Sequence, residues 1–196
     1  MTLFQLIMLG ISAFFAYKVY EHIQTLQDPK EEEDQRSADA FSPFDATTLI
    51  EKADEEMQKG DLQKALAIYS EANIKAPHDA ETLFKMGYVL SQQNRDDEAL
   101  EYYKEALELE PNNTYIHQAM ASTYRKMKEY ANAQKHLDAS LAIDETNPIT
   151  YYNYGNLLVD QNRLEEAKAM YEKAVELKSD FTEAQEELQK IQEKSA

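Results

Sequence analysis

Residues 46–181 repeat themselves every 34 positions, and no other feature restricts the fold as much. Segments beginning at Ala46, Ala80, Thr114 and Pro148 align with no insertion or deletion. The eighth residue of each is small (Ala53, Gly87, Ala121, Gly155), and the twentieth is alanine in all four (Ala65, Ala99, Ala133, Ala167). The twenty-fourth is large (Tyr69, Tyr103, Leu137, Tyr171), and the twenty-seventh is small again (Ala72, Ala106, Ser140, Ala174). Each segment holds two apolar-periodic runs split by a polar turn: Lys59-Gly60-Asp61, Gln93-Asn94-Arg95, Lys128-Glu129 and Asn162-Arg163. One such unit cannot bury its apolar face alone, so neighbours must stack to form a continuous core. Small residues let two antiparallel helices approach closely, and the large twenty-fourth residue fills the space beside them.

Composition removes most other architectures. Only four glycines occur in 196 residues, which argues against Gly-rich phosphate loops and turn-rich β folds. There is no cysteine, hence no disulfide framework, thiolate nucleophile or cysteine zinc site. The net charge of −17 repels phosphate backbones, so nucleic acid is not an expected partner.

The repeat resembles the tetratricopeptide repeat (TPR). Its signature is carried by Leu83, Met86-Gly87, Leu90, Ala99, Tyr103, Ala106 and Pro111 in the second segment. The fourth carries it in Tyr151, Tyr154-Gly155, Leu158, Ala167, Tyr171 and Ala174. Departures are the missing tryptophan, His117 at the fourth place of repeat three, and Glu145 and Ser179 in place of the closing proline. The resemblance implies an all-α solenoid of four helix pairs (46–79, 80–113, 114–147, 148–181). It also implies a capping helix over 182–196, on which Ala184, Leu188 and Ile191 share one face.

The N-terminal region is different. Met1–Tyr17 carries no charged side chain, and a helix needs about 20 apolar residues to cross the hydrocarbon core. A cleaved signal peptide would require a basic residue ahead of its apolar run, and no Lys or Arg precedes Lys18. Residues 1–27 are therefore expected to form a single transmembrane helix with a short extension, in contact with the membrane through residues 1–20. Lys18 and Lys30 follow the span, which places the repeats in the cytoplasm by the positive-inside rule. Residues 28–45 carry seven acids and two prolines and are expected to be an extended acidic spacer. This plan looks bacterial, although mitochondrial outer-membrane receptors share it.

No catalytic constellation is legible. His22, His78, His117 and His136 form no H-x-x-x-H or H-E-x-x-H pair, and no G-x-S-x-G occurs. No cofactor or metal is expected, and no enzyme activity. The family resemblance implies instead that first helices line a concave groove for protein or peptide segments. The second, fifth, sixth, ninth and twelfth places of each repeat would face it, giving as candidates Phe84, Tyr88, Tyr115, Gln118, Arg125, Tyr152, Asn153 and Asn156. Rings bury side chains, and amides pair with a peptide backbone. A TPR variant that clamps chaperone C-terminal carboxylates needs lysine and asparagine at the fifth and ninth places of its first repeat, where this chain has Ile50 and Asp54. Repeat three alone is neutral, owing to Arg125, Lys126, Lys128 and Lys135, and is expected to offer a basic spot to an acidic partner. The expected function is a membrane-anchored scaffold or adaptor for protein–protein interaction. The alternatives are an assembly or chaperone-like factor, or an accessory subunit of an envelope-biogenesis enzyme complex.

Overall fold

A computed structural model of the protein describes residues 43–195. The expected membrane helix at 1–27 and nearly all of the 28–45 spacer lie outside the described residues. Among the described residues, no helix is long and apolar enough to cross a membrane.

Nine helices and no strand occur among the described residues: α1 (Ala46–Gln58), α2 (Leu62–Lys75), α3 (Ala80–Gln92), α4 (Asp96–Leu109), α5 (Thr114–Lys126), α6 (Tyr130–Ile143), α7 (Pro148–Asp160), α8 (Leu164–Leu177) and α9 (Thr182–Ser195). First helices have 13 residues and second helices 14. Helix α9 begins 34 residues after α7, in the register of a further first helix. The residues set these limits. Asp45, Asp61, Asp79, Asn113 and Asn147 cap α1, α2, α3, α5 and α7 with side-chain oxygens that accept from backbone N–H groups. The caps of α4 and α8, Arg95 and Arg163, have no such oxygen. They instead hold Glu98 and Glu166 in bidentate pairs, with nitrogen–oxygen distances of 2.6–2.8 Å. Acids in those first turns also complement the positive end of the helix dipole.

Each first helix ends in a residue of left-handed conformation: Gly60 (φ 81°), Asn94 (60°), Lys128 (63°) and Asn162 (60°). The next residue's N–H reaches back to a carbonyl five positions earlier: Asp61 to Glu56, Arg95 to Leu90, Glu129 to Tyr124 and Arg163 to Leu158. These Schellman closures reverse the chain and aim each second helix back along the first.

Every second helix packs both on its own first helix and on the next one, which makes the stack continuous. Ala65, Ala99, Ala133 and Ala167 are fully buried, and so are Tyr69, Tyr103, Leu137 and Tyr171 to within 1%. Glycine at the eighth place has a steric reason. A Cβ on Gly87 would stand 2.7 Å from two ring atoms of Tyr103 and 3.1 Å from the Ala99 carbonyl oxygen. Gly155 is closed off by the Tyr171 ring in the same way. In repeat three the pair becomes Ala121 and Leu137, buried in one cluster.

Two core residues behave differently from the repeat pattern. Tyr124 and Tyr154, which fall on core positions, are only half-buried. Tyr154 donates its hydroxyl to Asp138 at 3.0 Å, and Tyr124 stacks on His136 with centroids 5.6 Å apart. A phenol needs a partner for its polar end, and the Tyr154 ring stops where Asp138 supplies one. His117 leaves the start of α5 undisturbed at Thr114.

Candidate peptide-binding groove

First helices also touch one another across repeats, α3 with α5 and α5 with α7, which puts them on the inner wall of the stack. The ninth place of each first helix decides which part of this wall is free. In repeat one Asp54 accepts the Tyr69 hydroxyl. In repeat four Asn156 accepts the Tyr171 hydroxyl at 2.8 Å. Both polar ninth residues are thus tied to the core tyrosine of their own repeat. In repeat two the ninth residue is itself a tyrosine, Tyr88, which stays 42% exposed. In repeat three it is the exposed Ser122, opposite Leu137, which has no hydroxyl to offer.

A cavity of about 280 Å³ opens at this place, lined chiefly by α3 and α5. Phe84, Tyr88, Tyr115, Gln118 and Asn153 meet around it, together with Ser91, Gln92, Tyr103, Ala119, Ser122 and Thr123. Tyr115 is 62% exposed at its mouth. Phe84 tilts against Tyr103, with centroids 5.7 Å apart, and forms the apolar floor. Burial pushes the Tyr103 hydroxyl well above the ordinary tyrosine range, so it remains a neutral donor at any physiological pH.

Three of the sequence-predicted groove residues do not line this cavity. Tyr152 lies against Phe181 (5.1 Å) and Tyr171 (5.8 Å), where it helps seat the last repeat. Asn156 is committed to Tyr171. Arg125 reaches across to α7 and pairs with Asp160 at 2.8 Å. Gln118 does line the cavity, but it is buried and its Nε2 donates to Thr150 Oγ1 at 2.7 Å, so it is anchored from behind. Of the four cations expected to make a basic spot on repeat three, two are offset by neighbouring repeats: Arg125 has Asp160, and Lys126 Nζ has both Asp96 (2.8 Å) and the Ser91 carbonyl (2.7 Å), while Lys128 and Lys135 are exposed. Summing charge within one repeat missed these acids because they belong to the repeats before and after.

Toward repeat one, Lys85 bridges Asp54 (2.8 Å) and Glu81 (2.9 Å). Burial alone would lower its pKa, but hydrogen bonds to the two carboxylates outweigh that and hold it above the usual lysine range. On the other side of α5, His117 and His136 meet Nδ1 to Nδ1 at 3.0 Å. Burial, then the neighbouring His117 and Lys135, push His136 down to about 4. Spacing rules for metal pairs miss two histidines 19 residues apart on antiparallel helices. Among the described residues, no group of three or more His, Cys, Asp or Glu side chains could hold a metal ion.

The chain matches the Tetratricopeptide repeat family over residues 56–123 and again over 112–180. Among curated proteins it is similar to RNA polymerase II-associated protein 3 of Mus musculus, 28% identical over 154 residues. That alignment spans 78% of this chain but 23% of the relative, so the chain matches about a quarter of the relative's length. The organism of this relative gives the expected bacterial source no support. Among solved structures it is similar to the first TPR of Spaghetti (RPAP3) bound to the HSP90 peptide SRMEEVD, with 30% identity, a TM-score of 0.54, and 58% of this chain on 90% of that one. PilF of Pseudomonas aeruginosa shares the fold at 19% identity and a TM-score of 0.69, over 76% of this chain and 68% of that one. Helix pairs, turn geometry and these matches agree that the chain belongs to the tetratricopeptide repeat family.

Proposed function

We propose that this protein is a membrane-tethered, non-catalytic TPR adaptor that binds an extended segment of another protein on the inner wall between α3 and α5. The plan is a membrane helix within 1–27, a spacer over 28–45, four repeats over 46–181 and a cap over 182–196. The observation that carries the binding site is the 280 Å³ cavity flanked by two exposed tyrosines, Tyr88 and Tyr115. Exposed aromatic rings around a concavity are typical anchors in protein recognition. Tyr69, Tyr103 and Tyr171 are buried and Tyr152 packs on Phe181, whereas these two rings stay exposed. The solved RPAP3 domain, bound to an HSP90 peptide, supports the mode of binding. The ligand differs here, because the fifth and ninth places of repeat one are Ile50 and Asp54. Tethering rests on the charge-free run Met1–Tyr17, and the cytoplasmic placing of the repeats on Lys18 and Lys30.

Crosslinking from a photoreactive residue at Ser122, with Tyr88→Ser/Tyr115→Ser as the comparison, tests the groove. The helical circular dichroism should be unchanged and crosslinked partner lost; retention of the same adduct would move the site elsewhere. Deleting residues 1–27 tests the tether. The truncated chain should leave the membrane pellet with its helicity intact, and continued sedimentation after an alkaline wash would refute it.

A further inference from the structure

The charge pattern around the cavity narrows the ligand class; this inference rests on the groove reading above. None of the cavity's lining residues is charged. The three basic side chains that border the wall are already engaged: Lys85 by Asp54 and Glu81, Lys126 by Asp96, and Arg125 by Asp160. An acidic ligand would have to compete with these carboxylates for a cation. Toward repeat one the balance is negative, since two carboxylates share the single ammonium of Lys85. The net charge of −17 extends this bias beyond the site.

We propose that the groove binds an extended segment carrying an aromatic or aliphatic residue in the Tyr88–Tyr115 cavity and a lysine or arginine at the Asp54–Glu81 carboxylates, and that it discriminates against acidic segments. The register follows from dimensions. Glu81 and Tyr88 lie seven residues apart on α3, a rise of roughly 10 Å, and an extended chain advances about 3.3–3.6 Å per residue. The basic residue therefore falls about three positions from the apolar anchor. The neutral pocket desolvates the anchor, and the shared carboxylates steer and orient the segment. The chain's own 28–45 segment, with seven acids, is a poor occupant by the same argument.

A random twelve-residue peptide display library selected on the full-length chain in detergent provides the test, with Tyr88→Ser/Tyr115→Ser as counter-target. Enriched peptides should hold an apolar residue with Lys or Arg about three positions away. Replacing that basic residue by Glu in synthetic peptides should weaken binding about tenfold or more at low salt, and the gap should narrow at high salt. The variant Glu81→Lys should also narrow it. Groove-dependent peptides that are neutral or acidic, or indifferent to the Glu replacement, would overturn the charge assignment while leaving the groove reading intact. A library that yields no enriched peptide, or only peptides held equally by the counter-target, would refute the groove reading and this inference with it.

Discussion

Lys128 occupies a position where its side chain is the wrong one for its backbone. Its φ of 63° lies in the left-handed region, and the same turn is made by Gly60, Asn94 and Asn162 in the other repeats. For an L-residue with an ordinary Cβ this conformation costs roughly 1–2 kcal/mol, less for asparagine and nothing for glycine. Glycine gives back about 0.5–1 kcal/mol through the greater freedom of the unfolded chain. Lysine near a helix C-terminus gains something of order 0.3–1 kcal/mol from the dipole, and any neutral replacement loses that. The proper reference is therefore Lys128→Ala, which removes the charge and keeps the strain. Lys128→Gly and Lys128→Asn should each exceed Lys128→Ala by about 1 kcal/mol. For a chain of this size that corresponds to about 2–4 °C in Tm. Lys128 is exposed, so the comparison is free of lost packing. Urea titration and thermal melts followed by circular dichroism at one salt concentration measure it. Identical melts for the Gly, Asn and Ala variants would show that the turn stores no such strain.

Further perturbations test other parts of the argument. Ala99→Leu should cost about 1–3 kcal/mol, because Ala99 is fully buried between two helices and extra methyl groups overfill the contact; a urea midpoint equal to the parent's would refute that packing. Tyr171→Phe should cost about 0.5–1.5 kcal/mol by leaving Asn156 without its hydroxyl donor. The histidine pair should make stability depend on pH. His136 is held at about 4 and His117 is also lowered, so the unfolded chain binds more protons and stability falls as pH drops from about 6.5 toward 4. The urea midpoint should fall between pH 7 and pH 5 in the parent and fall less in His136→Gln; equal slopes would remove the pair as the cause.

The 34-residue period alone determined the helix pairs, their order and their antiparallel packing. A small residue at the eighth place, alanine at the twentieth and a large residue at the twenty-fourth can be satisfied together only by closely approaching helices, as Gly87 against Tyr103 shows. Turn positions were equally legible, because each first helix needs a left-handed residue at its end and a polar break marks it. The groove was legible only as a face. Position in the repeat assigns Tyr88, Asn156 and Arg125 to the same wall, yet only Tyr88 lines the cavity. Asn156 is taken by a hydroxyl 15 residues later, and Arg125 by a carboxylate 35 residues later. Such partners come from other helices and other repeats, and their distances depend on how the stack is wound. Periodicity says which way a side chain points, because that is a property of one helix. What it finds there depends on the tertiary structure, because hydrogen bonds and ion pairs are short-ranged and are decided by which neighbour arrives within about 3 Å.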